Sequence, residues 1–161
     1  MVAFDETAAR FLRAPAEASF VRAGLGLLIN SYLVANAPMT APMNARGCGR
    51  MRLNVLVLQQ NLRNIEDGAD LGRAMGYFEL FDEGPDAIVK RAREDGEAAR
   101  TPAPADGEGA GRPRYSYDEF KALLELCYSE QLADPERGVA AAAKRQLADK
   151  MLGLSEYMWQ S

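Results

Sequence analysis

The sequence contains no histidine. That absence removes the side chain whose ordinary pKa lies nearest neutrality, and with it every Ser-His or Cys-His dyad and nearly all the common catalytic zinc sites. Cysteine is almost as scarce: Cys48 and Cys127 stand far apart with no Cys-x-x-Cys spacing. They form neither a zinc motif nor a dense disulfide framework, and a reduced cytosolic chain is the simplest account. Charge of one sign is not in excess either. Nineteen Lys and Arg against 23 Asp and Glu leave a formal charge of -4, so no global basic field draws in nucleic acid, and no aromatic residues interleave with the basic ones as single-stranded nucleic acid requires. Long apolar runs are missing as well. The longest uncharged stretch, Ala23 to Ala45, holds Asn30, Ser31, Asn36, Pro38, Thr40, Pro42 and Asn44, and reads as a buried helix and a loop rather than a membrane span. The opening Met1-Val-Ala-Phe-Asp-Glu6 lacks the basic start and apolar run of a secretory signal.

What remains is a 161-residue composition with 48% hydrophobic and 26% charged residues, enough to bury a core. Alternating runs bounded by hairpin turns are absent, and apolar residues recur at helical spacing nearly throughout. The fold class is therefore all-α, an antiparallel bundle of about six or seven helices. A short first helix is expected over Phe4 to Arg13. Pro15 then opens a second, which carries Phe20, Leu25, Leu28, Ile29, Tyr32 and Leu33 and stops near Asn36 ahead of Pro38 and Pro42. A third runs from about Asn44 to Ile65 with Met51, Val55, Leu58, Leu62 and Ile65 as its buried seam. Leu71, Ala74, Met75, Phe78 and Phe81 mark a fourth, ending before Gly84-Pro85, and Pro85 starts a short fifth through Ile88, Val89 and Ala92.

Residues 97–114 contain no large apolar side chain and several prolines, so burial cannot offset their ordering entropy. They are expected to be a disordered linker between a helical part, 1–96, and a C-terminal helical hairpin, 115–161, packing on the same bundle. Ser116 and Glu119 make a capping box for the helix bearing Phe120, Leu123, Leu124, Cys127 and Tyr128. Asp134 and Pro135 supply an N-cap and first-turn proline for the last helix, whose stripe is Val139, Ala143, Leu147, Met151, Leu154 and Met158.

No motif assigns a catalytic, cofactor-binding or metal-ligating residue, and no cofactor is implied. Gly24-Leu-Gly26 has Ile29 where a dinucleotide fingerprint needs its third glycine, and reads instead as small residues admitting a neighbouring helix. Gly47-Cys-Gly-Arg50 is not followed by the Lys-Ser or Lys-Thr of a phosphate loop. Glu79, Asp82, Glu83 and Asp86 cluster, but without EF-hand spacing; Glu83 and Asp86 suit the positive end of the helix beginning at Pro85. Cys127 lies on an apolar face as a small core residue, whereas Cys48 is expected to be more exposed, with Arg46 and Arg50 near enough to favour its thiolate. Arg46, Arg50, Arg52 and Arg63 give one helix a basic side, and Arg137, Lys144, Arg145 and Lys150 another. Such faces are usually solvated, although a lipid headgroup or an acidic partner can use them.

Gly24-Leu-Gly-Leu-Leu28, Met51 to Asn61 with its Val57-Leu-Gln-Gln-Asn61 core, Tyr77-Phe-Glu-Leu80 and Asp86-Ala-Ile-Val89 together resemble one family. The chain is similar, from about Phe4 through Trp159, to the C-terminal region of fungal members of the exocyst component four family ("Sec-eight"); Tyr115 to Glu130 matches more loosely. The resemblance implies a non-enzymatic role in holding secretory vesicles at the plasma membrane before fusion. It implies other exocyst subunits as partners, a rod built of helical bundles, and a cytoplasmic location peripheral to plasma membrane or vesicles. Family members are far longer, so the chain is expected to be a C-terminal piece beginning at an internal methionine. Some relatives end in a PDZ-binding peptide; Trp159-Gln-Ser161 lacks the apolar last residue, and no such ligand is implied here. Beside this stands an alternative: a helical module that touches acidic membrane lipids weakly, or an acidic partner, through its basic faces.

Overall fold

The computed structural model describes residues 15–64, 70–100 and 112–158, and the fold within them is an all-α bundle with no strand. The helices are α1 (Pro15–Ala35), α2 (Ala45–Arg63), α3 (Gly72–Glu83), α4 (Pro85–Arg100), α5 (Tyr117–Leu132) and α6 (Arg137–Met158), with a short 3-10 turn at Ala37–Thr40 between α1 and α2. The expected helix over Phe4 to Arg13 lies outside the described residues, as do Ile65 and the middle of the expected linker.

Local chemistry explains most boundaries. Asn44 is extended, and its Oδ1 accepts from the Gly47 N–H at 3.0 Å, so it is the N-cap of α2. Gly84 closes α3 at φ 92, a conformation that suits glycine, and donates its N–H to Leu80 and Phe81; Pro85 follows at once as the first residue of α4. The capping box of α5 forms in full, with the Glu119 N–H on Ser116 Oγ at 3.2 Å and the Ser116 N–H on Glu119 Oε2 at 2.7 Å.

Elsewhere the boundaries differ from expectation. The fifth expected helix is longer than its apolar residues imply, because Arg91–Asp95 and Arg93–Glu97 pair one turn apart and carry α4 on to Arg100. Arg112 to Arg114, placed in the linker, are tied down: the Pro113 carbonyl accepts from Arg91 at 2.6 Å and the Arg114 carbonyl from Arg73 at 3.3 Å. The last helix begins at Arg137 rather than at Pro135, and Asp134 Oδ1 accepts from the Glu136 N–H just before it.

Helix α3 lies at the centre. Helices α1, α2, α4 and α5 all pack on it, while α6 closes over α4 and α5. Tyr77 and Phe78 of α3, Phe120, Leu123 and Leu124 of α5, Ile88 of α4 and Leu154 of α6 are wholly buried. Around Tyr115 the packing is aromatic: its ring centre lies 5.4 Å from Tyr77 and 5.5 Å from Phe120. Gly76 allows this approach, since a Cβ there would meet the Tyr115 hydroxyl at 3.0 Å.

The first turn of α3 has no capping residue of its own at Leu71. Other side chains do the work: from afar Asn30 Oδ1 of α1 accepts from the Ala74 N–H at 2.9 Å and Gln59 Oε1 of α2 from the Leu71 N–H, and locally Asp70 Oδ1 accepts from the Gly72 N–H at 3.0 Å. Asn30 Nδ2 also donates to the Asp70 carbonyl at 2.6 Å, which satisfies this buried amide at both ends.

The seam of α2 is narrower than its spacing suggests. Cys48, Val55 and Leu62 are buried and Met51 half-buried, but Leu58 keeps 37% of its surface exposed, because α3 is the principal neighbour of α2 and covers a single stripe. In α1, likewise, Gly26, Asn30 and Val34 face the core whereas Leu28 and Tyr32 face outward, 67% and 66% exposed. A carboxylate at Val55, 1% exposed, is therefore expected to cost about 3 kcal/mol or more, and one at Leu58 about 1 kcal/mol. Circular dichroism melts of Val55→Asp and Leu58→Asp check this; equal losses would show that Leu58 belongs to the core.

Candidate interaction surface

Polar side chains that converge do so to hold helices together. Arg73 of α3 reaches both carboxylate oxygens of Glu119 at 2.7 Å and lies 5.3 Å from the Tyr115 ring centre. The Tyr115 hydroxyl donates to the Arg73 carbonyl at 2.8 Å, and the Tyr77 hydroxyl to the Glu119 carbonyl at 2.7 Å. Arg91, buried on α4, pairs with Asp95 at 3.0 Å; burial raises the Asp95 carboxyl above its ordinary value, and Arg91 opposes that rise. Each of these side chains has a protein partner on another element or one turn away, although Asp95 Oδ2 is buried without a hydrogen-bond partner. Such bonds position backbone and join helices, which is a packing role.

Of these residues the sequence singled out Glu119 alone, as the capping-box partner of Ser116. Its pairing with Arg73 carries no local signal, the two being on separate helices. Arg91 and Asp95 do show a one-turn pair, but that spacing is the same for a solvated pair as for a buried one.

The carboxylates at the α3–α4 junction do not form a site. Asp82 and Glu79 lie 2.5 and 3.6 Å from Arg52, while Asp86 at the start of α4 pairs with Lys150 of α6. Among the described residues no group of His, Cys, Asp and Glu is arranged to hold a metal ion. Of the glycines in α1, Gly26 is buried, but Gly24 faces open space.

Cys48 departs from expectation. It is fully buried, its Sγ donates to the Phe78 carbonyl at 3.1 Å, and Arg46 and Arg50 point away from it into solvent. Burial first, then neighbouring Asp82, push its thiol up to about 12, and burial does the same for half-buried Cys127. The cause is helical period: Cys48 stands seven residues, about two turns, before Val55 and on the same inward stripe.

The surface is informative where charge and apolar area remain unpaired. Arg52 turns inward to Asp82 and Lys150 to Asp86, so the two basic faces shrink to Arg46, Arg50 and Arg63 on α2 and Arg137, Lys144 and Arg145 on α6, all exposed. Leu27, Leu28 and Tyr32 of α1, Met39 of the 3-10 turn, and Leu53, Leu56 and Val57 of α2 are all more than half exposed. No described helix is long and apolar enough to cross a membrane.

Because both thiols are protonated and at least half-buried, reaction with a disulfide reagent at pH 8 is expected to be slow in the native protein and fast after denaturation. Colorimetric titration with and without guanidinium chloride checks it; one thiol reacting at the rate of a free peptide cysteine would contradict the burial of Cys48.

No family profile matches the chain, and no solved structure does so. A probable exocyst complex component sec8 of Neurospora crassa is 61% identical over 184 aligned residues, which take in 100% of this chain and 16% of that protein. The chain thus spans about a sixth of the length of the curated relative it matches. An identity of 61% over an alignment that takes in the whole chain bears out the resemblance read in the sequence: the chain is similar over its full length to part of an exocyst component Sec8.

Proposed function

We propose that this chain is a non-enzymatic packing module of the exocyst, the complex that tethers secretory vesicles, and that it works by covering its exposed helix faces with other subunits. The observation that carries this reading is the 61% identity to an exocyst component over the whole chain. The surface supports it. A free-standing domain of this size rarely leaves Leu27, Leu28 and Tyr32 of α1 and Leu53, Leu56 and Val57 of α2 uncovered together, whereas a subunit held in a larger assembly needs such faces. In this reading residues 1–96 and 115–161 act as one module, located in the cytoplasm and at the plasma membrane or vesicles through the complex. Converging polar groups that serve packing rather than a cleft support the absence of catalysis.

A second reading rests on Arg137, Lys144 and Arg145, exposed along α6, which suit weak contact with acidic lipid headgroups. The two are separated by affinity purification of the tagged, full-length protein from the cells that make it. Recovery of exocyst subunits in fixed proportion, unchanged when Lys144→Glu and Arg145→Glu are introduced, is the expected result. Recovery of the protein alone would contradict the packing-module reading, and salt-sensitive flotation with phosphatidylserine vesicles that is lost in the double variant would favour the lipid one.

A further inference from the structure

The outward side of α2 has an order of its own. Arg46, Arg50, Leu53, Val57, Gln60 and Asn64 follow one another at intervals of 4, 3, 4, 3 and 4, a second seam on the side opposite Cys48, Val55 and Leu62. All six are exposed, with Leu53 at 59% and Val57 at 53%. The seam is basic at its N-terminal end, apolar in the middle and amide-bearing towards its C-terminal end, where Arg63 flanks it. Helix α2 contains no acidic residue, and among the described residues Arg46, Arg50 and Arg63 form no ion pair.

We propose that this outward seam of α2 is the docking ridge for one amphipathic helix of a partner protein, bearing carboxylates opposite Arg46 and Arg50 and apolar residues opposite Leu53 and Val57. The inference rests on the packing-module reading above and names the face and the partner chemistry.

Three features define that occupant. The heptad-like spacing of the seam is the footprint of a single helix packed nearly parallel or antiparallel, since a helix presents its own ridge at the same interval. The uncompensated arginines select for negative charge and against basic helices, and the two within the seam, Arg46 and Arg50, stand at its N-terminal end, a bias that favours one direction. A membrane fits less well. Sinking Leu53 and Val57 into lipid would carry Gln60 and the neighbouring Asn54 and Asn61 amides towards hydrocarbon that offers them no partner, whereas a protein helix provides backbone and side-chain ones. The aromatic residues that anchor interfacial helices are also missing from α2.

The test uses the full-length protein in its assembled complex. A photo-crosslinking residue replaces Gln60, and the captured segment is sequenced by mass spectrometry in the parent and in the variant Arg46→Glu, Arg50→Glu, whose sites are exposed and outside the core. The expected result is capture of one helical segment rich in Asp and Glu, reduced about tenfold or more by the double reversal and restored when carboxylates of that segment are changed to Lys. Capture of a neutral or basic segment, capture unaffected by the reversal, or no capture overturns the proposal. So does reversal-sensitive flotation with vesicles of phosphatidylcholine and roughly one third phosphatidylserine, the lipid outcome. If exocyst subunits co-purify while the crosslink fails, only the α2 face is wrong; if none co-purify with the unsubstituted protein, the packing-module reading falls with it.

Discussion

The guanidinium of Arg73 meets both oxygens of Glu119 at 2.7 Å while covering the ring of Tyr115, and this junction fastens α5 to α3. Both contacts come from one nitrogen, Nη2, and the two side chains are only 29% and 22% exposed, so the pair is shielded and stronger than a solvated one, on the order of 1.5 to 3 kcal/mol. The same Glu119 closes the capping box of α5, and its carbonyl accepts from Tyr77. One residue therefore starts a helix, pairs a charge and receives a core hydroxyl. Beneath it Tyr77, Tyr115 and Phe120 interlock, and Arg91 draws Pro113 down beside them. Without that junction the hairpin of α5 and α6 would rest on its packing with α4 and the 3-10 turn, the Lys150–Asp86 pair, and the bonds of Ser129 and Glu130 to Met43 and Asn44.

Everything else is arranged around α3 as the shared neighbour. Its uncapped first turn draws Asn30 from α1 and Gln59 from α2, so both helices are fixed at one end by a hydrogen bond to the same backbone segment. Each then has one side on α3 and another in solvent. The apolar residues on those outer sides, Leu28 and Tyr32 on α1 and Leu53 and Val57 on α2, are a consequence of that geometry rather than of poor packing. In the proposed role they are the faces that a larger assembly covers.

This division also explains what was legible in the sequence. The capping box at Ser116 and the glycine–proline break at Gly84 and Pro85 were readable because each is completed within a few residues. The all-α class followed from period alone. What could not be read was which of two apolar stripes a helix turns inward. Leu28 and Tyr32 looked like core, and Leu58 looked like the middle of a seam, because periodicity reports that stripes exist and not how many neighbours cover them. Cys48 was misplaced for a related reason: its flanking arginines advertised an exposed turn, but the residue itself sits on the inward stripe. Asn30, an amide in an apolar run, carried no sign that a helix start some 40 positions away needed it.

The central claim is that the junction at Arg73, Tyr115 and Glu119 makes the helices one cooperative unit with α3 and α5 at its heart. Native-state hydrogen exchange measures this directly. The account predicts that amides in the middle of α3 and of α5 share the slowest exchange and open together, with the same dependence on denaturant, and that Glu119→Gln lowers both equally. If α5 and α6 instead exchange as a separate, less protected unit while α3 keeps its full protection, the junction does not unite the fold and the account is contradicted.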